Sequence, residues 1–327
     1  MKSHMKKTIT LLLLMSLLLA IPALAANPSP TSAENLPPVA EDFELTTYRG
    51  VGVTGALIAV DPEGDFMEFQ LVRSPRKGEV DLDQASGQFT YTPQEGKRGR
   101  DHFTYVAVDA LGNISAEATV RIRIERQKSN VQYKDMSGHE AHFASISLAE
   151  RDIFVGEQIG GRHFFQPDTL VRRGEFLAMS MRLVDADLLS GIHRTGFADD
   201  AYIAAWLRPY VSTAVLDGVV RGLHCSDGAL IFAPDAHITA GEAALVLNNV
   251  LGLQDVPAAA LWAEIAAPDW AHQAIVNLHV RNIISLENLG VYHRTLTRAD
   301  VAEVLLGAAH LLEGRIVPTS SLLEWVF

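Results

Sequence analysis

The chain has 327 residues, is 48% hydrophobic and carries a formal net charge of -12. At about 100–200 residues per domain the length suits two domains, and the acidic balance argues against nucleic acid as a partner. Cys225 is the single cysteine, so an exported form would hold its fold without an internal disulfide.

Lys2, Lys6 and Lys7 form a positive start, Leu11 to Ala20 is an apolar run, and Ile21-Pro22-Ala23-Leu24-Ala25 supplies small residues in an A-x-A arrangement. This pattern predicts a secretory signal peptide over residues 1–25, cleaved after Ala25. The apolar run is shorter than the roughly 20 residues of a spanning helix. A secreted protein of the bacterial cell envelope or surface is therefore expected. Residues 26–35 are rich in Pro, Ser, Ala and Asn and read as a linker.

From residue 36 to 126 the pattern is β. Met67, Phe69 and Leu71 alternate with polar neighbours, as do Val80 and Leu82, Phe89 and Tyr91, and Phe103, Tyr105 and Ala107. The last run is Ala118, Val120, Ile122 and Ile124, interleaved with Thr119, Arg121, Arg123 and Glu125. Period-two alternation assigns one set to a core and the other to solvent. Glycines at turn-like intervals complete the rhythm of a small β-sandwich. The strings Asn35-Leu36-Pro37-Pro38-Val39-Ala40, Asp61-Pro62-Glu63-Gly64-Asp65, Gly87-Gln88-Phe89-Thr90-Tyr91-Thr92-Pro93 and Asp109-Ala110-Leu111-Gly112-Asn113 resemble the cadherin-like and immunoglobulin-like modules of bacterial surface proteins. The resemblance implies a Greek-key sandwich used as a spacer or adhesive unit. Asp61, Glu63, Asp65 and Asp109 are candidate hard-oxygen ligands for calcium, with solvated acidic turns as the alternative.

Residues 127–132 form a polar joint, after which helical periodicity takes over and three related units follow, over 133–189, 190–254 and 255–314, with a tail at 315–327. In the second unit Trp206 opens a helix with Leu207, Val211, Ala214 and Val215 on one stripe. Phe232-Ala233-Pro234-Asp235 sits in the loop, and Ile238-Thr239-Ala240-Gly241-Glu242 opens a second helix with Ala243, Val246, Leu247 and Val250 on one face. The first unit runs in parallel with Ala141, Leu148, Ala149 and Ile153, then Phe165-Gln166-Pro167-Asp168 and Val171-Arg172-Arg173-Gly174-Glu175. The third has Trp270, Ala271, Ile275 and Leu278, then Leu296-Thr297-Arg298-Ala299-Asp300.

Thr239 with Glu242, and Thr297 with Asp300, have the spacing of a capping box. Such a cap aims the positive end of a helix forward, and an arginine beside it, such as Arg298, makes a candidate anion grip. Trp206 and Trp270 sit at helix starts and are either core residues or binding residues.

These units resemble the S-layer homology family, whose pattern is a leading Asp, a Trp-Ala opening, Phe-x-Pro-Asp and Ile-Thr-Arg-Ala-Glu. The resemblance implies helix–loop–helix units closing into an all-α pseudo-threefold bundle of three repeats. Clefts between neighbours would bind secondary cell-wall polysaccharide, often pyruvylated, or peptidoglycan. Carried onto this chain, the polysaccharide-binding candidates are Arg173, Arg298, Trp206, Trp270, Glu175, Thr239, Glu242, Thr297, Asp135 and Asp199. Several positions depart from the pattern: Glu140 stands for the first Trp, Arg172 for a cap Thr, Ala240 for an Arg, Asp300 for a Glu and Glu264 for the third leading Asp. Asp135 and Asp199 serve equally well as turn formers.

The expected architecture is multidomain, an all-β sandwich followed by an all-α bundle. The expected function is non-covalent wall anchoring without catalysis or an obligatory cofactor, with neighbouring surface proteins as possible partners. An adhesin whose sandwich carries the activity is the alternative, as are repeats with a purely assembling role. His139-Glu140-Ala141-His142 places its histidines at i and i+3, off the i and i+4 spacing a zinc-protease helix requires.

Overall fold

The computed structural model describes residues 35–257, 267–284 and 292–314. The expected signal peptide, Glu264 and the tail over 315–327 lie outside the described residues.

Nine strands come first: β1 (Val39–Ala40), β2 (Phe43–Tyr48), β3 (Val53–Ala56), β4 (Ala59–Val60), β5 (Met67–Arg73), β6 (Gly78–Leu82), β7 (Gln88–Pro93), β8 (Gly99–Asp109) and β9 (Ala118–Glu125). One sheet has the order β2-β9-β8-β5, a second β3-β7-β6, and β1 pairs with β4. Neighbours are antiparallel except β2 and β9, which run parallel with Phe43 opposite Val120. The alternation seen in the sequence is the reason. Phe69, Phe103, Tyr105, Val120 and Ile122 from the first sheet meet Phe89 and Tyr91 from the second, all at most 3% exposed. Phe89 and Phe103 join the sheets edge to face at 5.2 Å between centroids, a favoured aromatic geometry.

Two buried tyrosines tie this core to its edges. Tyr105 lies 2.7 Å from the carbonyl oxygens of Glu41 and Ile58 and accepts the Ile58 N–H. Tyr91 donates to the Asp101 carboxylate at 2.9 Å. The Tyr91 ring packs so closely on β6 that a Cβ at Gly78 would sit 2.5 Å from it and 2.7 Å from the Thr92 carbonyl oxygen. Backbone cannot yield as a side chain can. Gly78→Ala is therefore expected to cost about 2–3 kcal/mol by overpacking, read as a lowered denaturant midpoint at unchanged slope.

The remaining elements are α1 (His142–Glu150), β10 (Glu157–Ile159), β11 (Arg162–Phe164), α2 (Arg173–Leu183), α3 (Arg208–Leu216), β12 (Leu223–His224), β13 (Leu230–Ile231), α4 (Ala240–Val250), α5 (Asp269–His279) and α6 (Arg298–Leu312). Their apolar faces meet in one core containing Ile146, Leu148, Phe176, Val211, Leu247, Leu278 and Leu305. On α3 the buried stripe is Leu207, Val211 and Ala214. Val215, expected on that stripe, is 40% exposed, because one residue beyond Ala214 the helix has already turned its side chain away. Among the described residues no helix is long and apolar enough to cross a membrane.

Three backbone hydrogen bonds close a ring at the centre of this half. Val171 N–H donates to Leu296, Leu296 N–H to Ile238, and Ile238 N–H to Val171, at 2.9, 3.0 and 2.9 Å. The helices α2, α4 and α6 each begin two residues after one of these positions. The joint to the sandwich is tied down as well: the Glu150 carboxylate accepts the N–H groups of Lys128 and Ser129, and Tyr48 stacks on Phe143 at 5.7 Å.

Candidate functional site

The starts of α2, α4 and α6 hold most of the candidate residues. Thr239 and Thr297 form complete capping boxes. Each hydroxyl accepts the N–H three residues on, and the carboxylates of Glu242 and Asp300 accept the Thr N–H groups. At Arg172 only half a box exists, since a guanidinium has no acceptor. There Glu175 accepts the Arg172 N–H at 3.0 Å.

The next two amides of each helix are also taken. Arg173, Ala240 and Arg298 donate to the carbonyls of Ala236, Arg294 and Thr169, each at 2.8 Å, and Gly174, Gly241 and Ala299 donate to Pro234, Tyr292 and Pro167. These bonds correct one expectation. A helix start attracts an anion through its unpaired N–H groups, and here those groups are spent on the neighbouring loops. Any anion contact at these ends must come from side chains.

The arginine grips are also engaged. Arg173 donates to Glu242 at 2.7 Å. Arg298 donates to the Phe165 carbonyl, the Gln166 side chain and the Glu157 carboxylate at 3.1, 3.1 and 2.9 Å, and its guanidinium lies 5.1 Å over the Phe154 ring. Its side chain is 13% exposed. Arg294, which sequence reasoning passed over, clasps Asp300 with both terminal nitrogens at 2.9 and 3.1 Å. Burial by itself would raise the Asp300 carboxyl, but the Arg294 and Thr297 hydrogen bonds outweigh it and hold it below the ordinary carboxylate range.

The tryptophans are not core residues. Trp206 is 58% and Trp270 51% exposed. Trp206 meets Tyr210 edge-on at 6.4 Å. Trp270 leans over the start of α4, so that a Cβ at Gly241 would come within 3.3 Å of its ring. At Gly174 the corresponding neighbour is Leu207, at 2.5 Å from such a Cβ. The small residue at the second helical position, Gly174 and Gly241 in two units and Ala299 in the third, was the sequence signal for this close approach.

Asp135 and Asp199 act as turn formers. Asp135 accepts the N–H groups of Phe165 and Gln166, and Asp199 those of Phe232 and Ala233. Both loops place their second residue in the left-handed region, Gln166 and Ala233 each at φ 56°. The carboxylate clamp stabilises a backbone shape that these residues rarely adopt.

The acidic residues of the sandwich do not assemble into a calcium site. Asp61 accepts the Glu63 and Asp65 N–H groups, Asp109 those of Leu111 and Asn113, and Glu63 that of Leu36. Among the described residues no three His, Cys, Asp or Glu side chains are grouped to hold a metal. Asp61 and Asp109 spend carboxylate oxygens on their own turns, which leaves the donor set short of the six to eight oxygens calcium takes. The His139 ring accepts the Ala141 N–H and its carbonyl accepts the His142 N–H, so this segment is a turn.

The strand pairing, the two-sheet core and the Asp61 and Asp109 turns define a recognisable module. Residues 35–126 match the bacterial cadherin-like domain. Among solved structures, this chain is similar to an adhesin from Streptococcus sanguinis, SrpA, at 17% identity over 32% of this chain and 64% of that one, with a TM-score of 0.25. It is also similar to the sialic acid binding region of another Streptococcus sanguinis adhesin, at 18% identity over 30% and 31% of the two chains and a TM-score of 0.23. An endo-fucoidan hydrolase of glycoside hydrolase family 107 matches at 13% identity over 36% and 17%, with a TM-score of 0.24. The chain thus spans less than two thirds of each. No curated protein matches the chain.

Proposed function

We propose that the protein is a secreted surface protein that attaches non-covalently to the bacterial cell wall through its helical half, with the cadherin-like domain as a spacer or adhesive module. In this reading the helical half is three S-layer-homology-like repeats about a pseudo-threefold axis, for which the ring of bonds through Val171, Ile238 and Leu296 and the repeated Asp clamps speak. The clefts between repeats take secondary wall polysaccharide, pyruvylated or not.

The single observation that carries the reading is the exposure of Trp206 and Trp270 at the helix openings. Large aromatic surfaces left in solvent are adverse for folding and suited to the apolar face of a sugar ring. The paired state of Arg173 and Arg298 favours a second reading, in which the repeats only assemble and no anion is gripped.

Co-sedimentation of the intact chain with wall sacculi, before and after acid extraction of the secondary polysaccharide, separates the two. Trp206→Ala with Trp270→Ala is expected to weaken sedimentation by about tenfold or more at an unchanged melting temperature, since each stacked aromatic contributes about 1 kcal/mol. Equal sedimentation of the double variant would remove the tryptophans from the interface. Binding that survives extraction would point to peptidoglycan, and no binding of the unmodified chain would leave the assembling role.

A further inference from the structure

The cadherin-like domain carries a feature that the wall-binding reading does not use. The outer face of the sheet β2-β9-β8-β5 is ordered by its register into three rows. Arg123 lies opposite Arg100; Glu44, Arg121 and His102 form the next row; Thr119, Thr104 and Arg73 form the third. The last two rows, with Arg100 and Glu117, line a groove of about 540 Å³. That volume falls within the usual range of small-molecule sites, about 300–1,000 Å³.

Two properties of this face oppose folding stability. The first is electrostatic. Like charges directly opposite across a strand pair are destabilising, and Arg123 faces Arg100. On the β2 side the charges are relieved, since Arg121 pairs with Asp42 at 2.8 Å and Arg123 with Glu44 at 3.1 Å. Towards β5, neither Arg100 nor Arg73 forms an ion pair among the described residues. The second concerns Thr104. It is 4% exposed, its buried hydroxyl has no hydrogen-bond partner among the described residues, and it lines the groove opposite Arg73. A buried hydroxyl left without a partner is unfavourable. The first is relieved by a ligand that brings an anionic group to this place.

The rest of the lining narrows the ligand. Guanidinium forks match a planar carboxylate in bidentate fashion. Glu44 and Glu117 repel a densely charged chain, yet they accept hydrogen bonds from hydroxyls. A peptide would seek the free backbone groups of a sheet edge, whereas the groove lies over β8 and β9, whose backbones are already laddered on both sides. One carboxylate among several hydroxyls describes an acidic sugar. We propose that the outer sheet face of the cadherin-like domain binds a carboxylated sugar residue, with Arg100 and Arg73 on its carboxylate and Glu44 and Glu117 accepting from its hydroxyls. The proposal takes up the adhesive role of the domain and is independent of wall attachment by the helical half.

The test titrates the intact chain against oligosaccharides ending in uronic or sialic acids, each beside its neutral counterpart. A heparin-derived sulfated tetrasaccharide and hexaglutamate complete the panel. At least one carboxylated sugar should bind, and its neutral counterpart should bind about tenfold more weakly or worse. Arg100→Gln and Arg73→Gln should each weaken binding about tenfold, as expected for losing a charge-assisted hydrogen bond, while melting and sacculus sedimentation stay unchanged. Failure of every carboxylated sugar to bind, equal binding of a neutral counterpart, or full binding by the Arg100→Gln variant would overturn the proposal. Tighter binding of the sulfated sugar or of hexaglutamate would also overturn it, reassigning the groove to a polyanion or a peptide. Sugar binding without sacculus sedimentation would defeat wall anchoring alone.

Discussion

Asp101→Ala is expected to lower the stability of the cadherin-like domain by about 3–5 kcal/mol, a loss of roughly 15–30 °C in the melting temperature of a unit this size. Asp101 is 7% exposed and accepts three hydrogen bonds: from the Arg76 N–H at 3.0 Å, the Lys77 N–H at 2.8 Å and the Tyr91 hydroxyl at 2.9 Å. Truncation leaves the Tyr91 hydroxyl, itself in the core, without its acceptor. Tyr91→Phe removes one hydrogen bond and leaves Asp101 the Arg76 and Lys77 N–H groups, so about 1–1.5 kcal/mol is expected there. A melt of Asp101→Ala within a few degrees of the unmodified chain would show that water replaces the carboxylate.

The same residue sets a pH dependence. Burial would raise the Asp101 carboxyl, but the bonds from Arg76, Lys77 and Tyr91 outweigh it, so its folded pKa lies below the ordinary value. A depressed folded pKa stabilises the fold above the unfolded pKa near 3.9, and that stabilisation is lost as the pH falls through the folded value. The sandwich melt should therefore stay level from neutral pH down to about 5 and fall below about 4. Asp101→Asn should flatten the acid limb of the curve.

The second large effect concerns Arg298. Alanine there should cost about 3 kcal/mol or more, because the Phe165 carbonyl, the Gln166 side chain and the Glu157 carboxylate lose their nearly buried donor and the Phe154 ring loses its cation. Lysine should recover only part of this, since a point charge cannot span the Phe165 carbonyl and both side-chain oxygens. The consequence for wall binding is direct. Loss of pull-down in Arg298→Ala would follow from a loosened join between Arg298 and the Phe165 loop, and carries meaning only beside a melt. An Arg298→Ala protein that melts normally but no longer sediments would restore the arginine to the ligand. Arg173, paired to Glu242 alone, is the cleaner probe of an anion grip.

What the sequence determined by itself is whatever rests on neighbours close along the chain. Period-two alternation put Phe69, Phe89, Tyr91, Phe103, Tyr105, Val120 and Ile122 inside, because a strand can bury only one of its faces. The spacing of Thr239 to Glu242 and of Thr297 to Asp300 gave their capping boxes, whose partners lie within one helical turn. The Asp135 and Asp199 clamps were half legible: turn formation was foreseen, but not that each reaches a loop some thirty residues on.

Tertiary structure decided everything that depended on which distant group arrived first. An arginine beside a helix start reads as an open anion grip until a carbonyl and a carboxylate from more than a hundred residues away fill its donors, as at Arg298. A helix terminus reads as an anion site until loops from neighbouring units cap it, as at Gly174 and Gly241. The exposure of Trp206 and Trp270 could not follow from helical period alone, which fixes direction and not what lies opposite. The groove on the outer sheet face was hidden for the same reason. Arg73 lies on β5 and Arg100 and Thr104 on β8, and only the register of β5 on β8 sets Arg73 opposite Thr104.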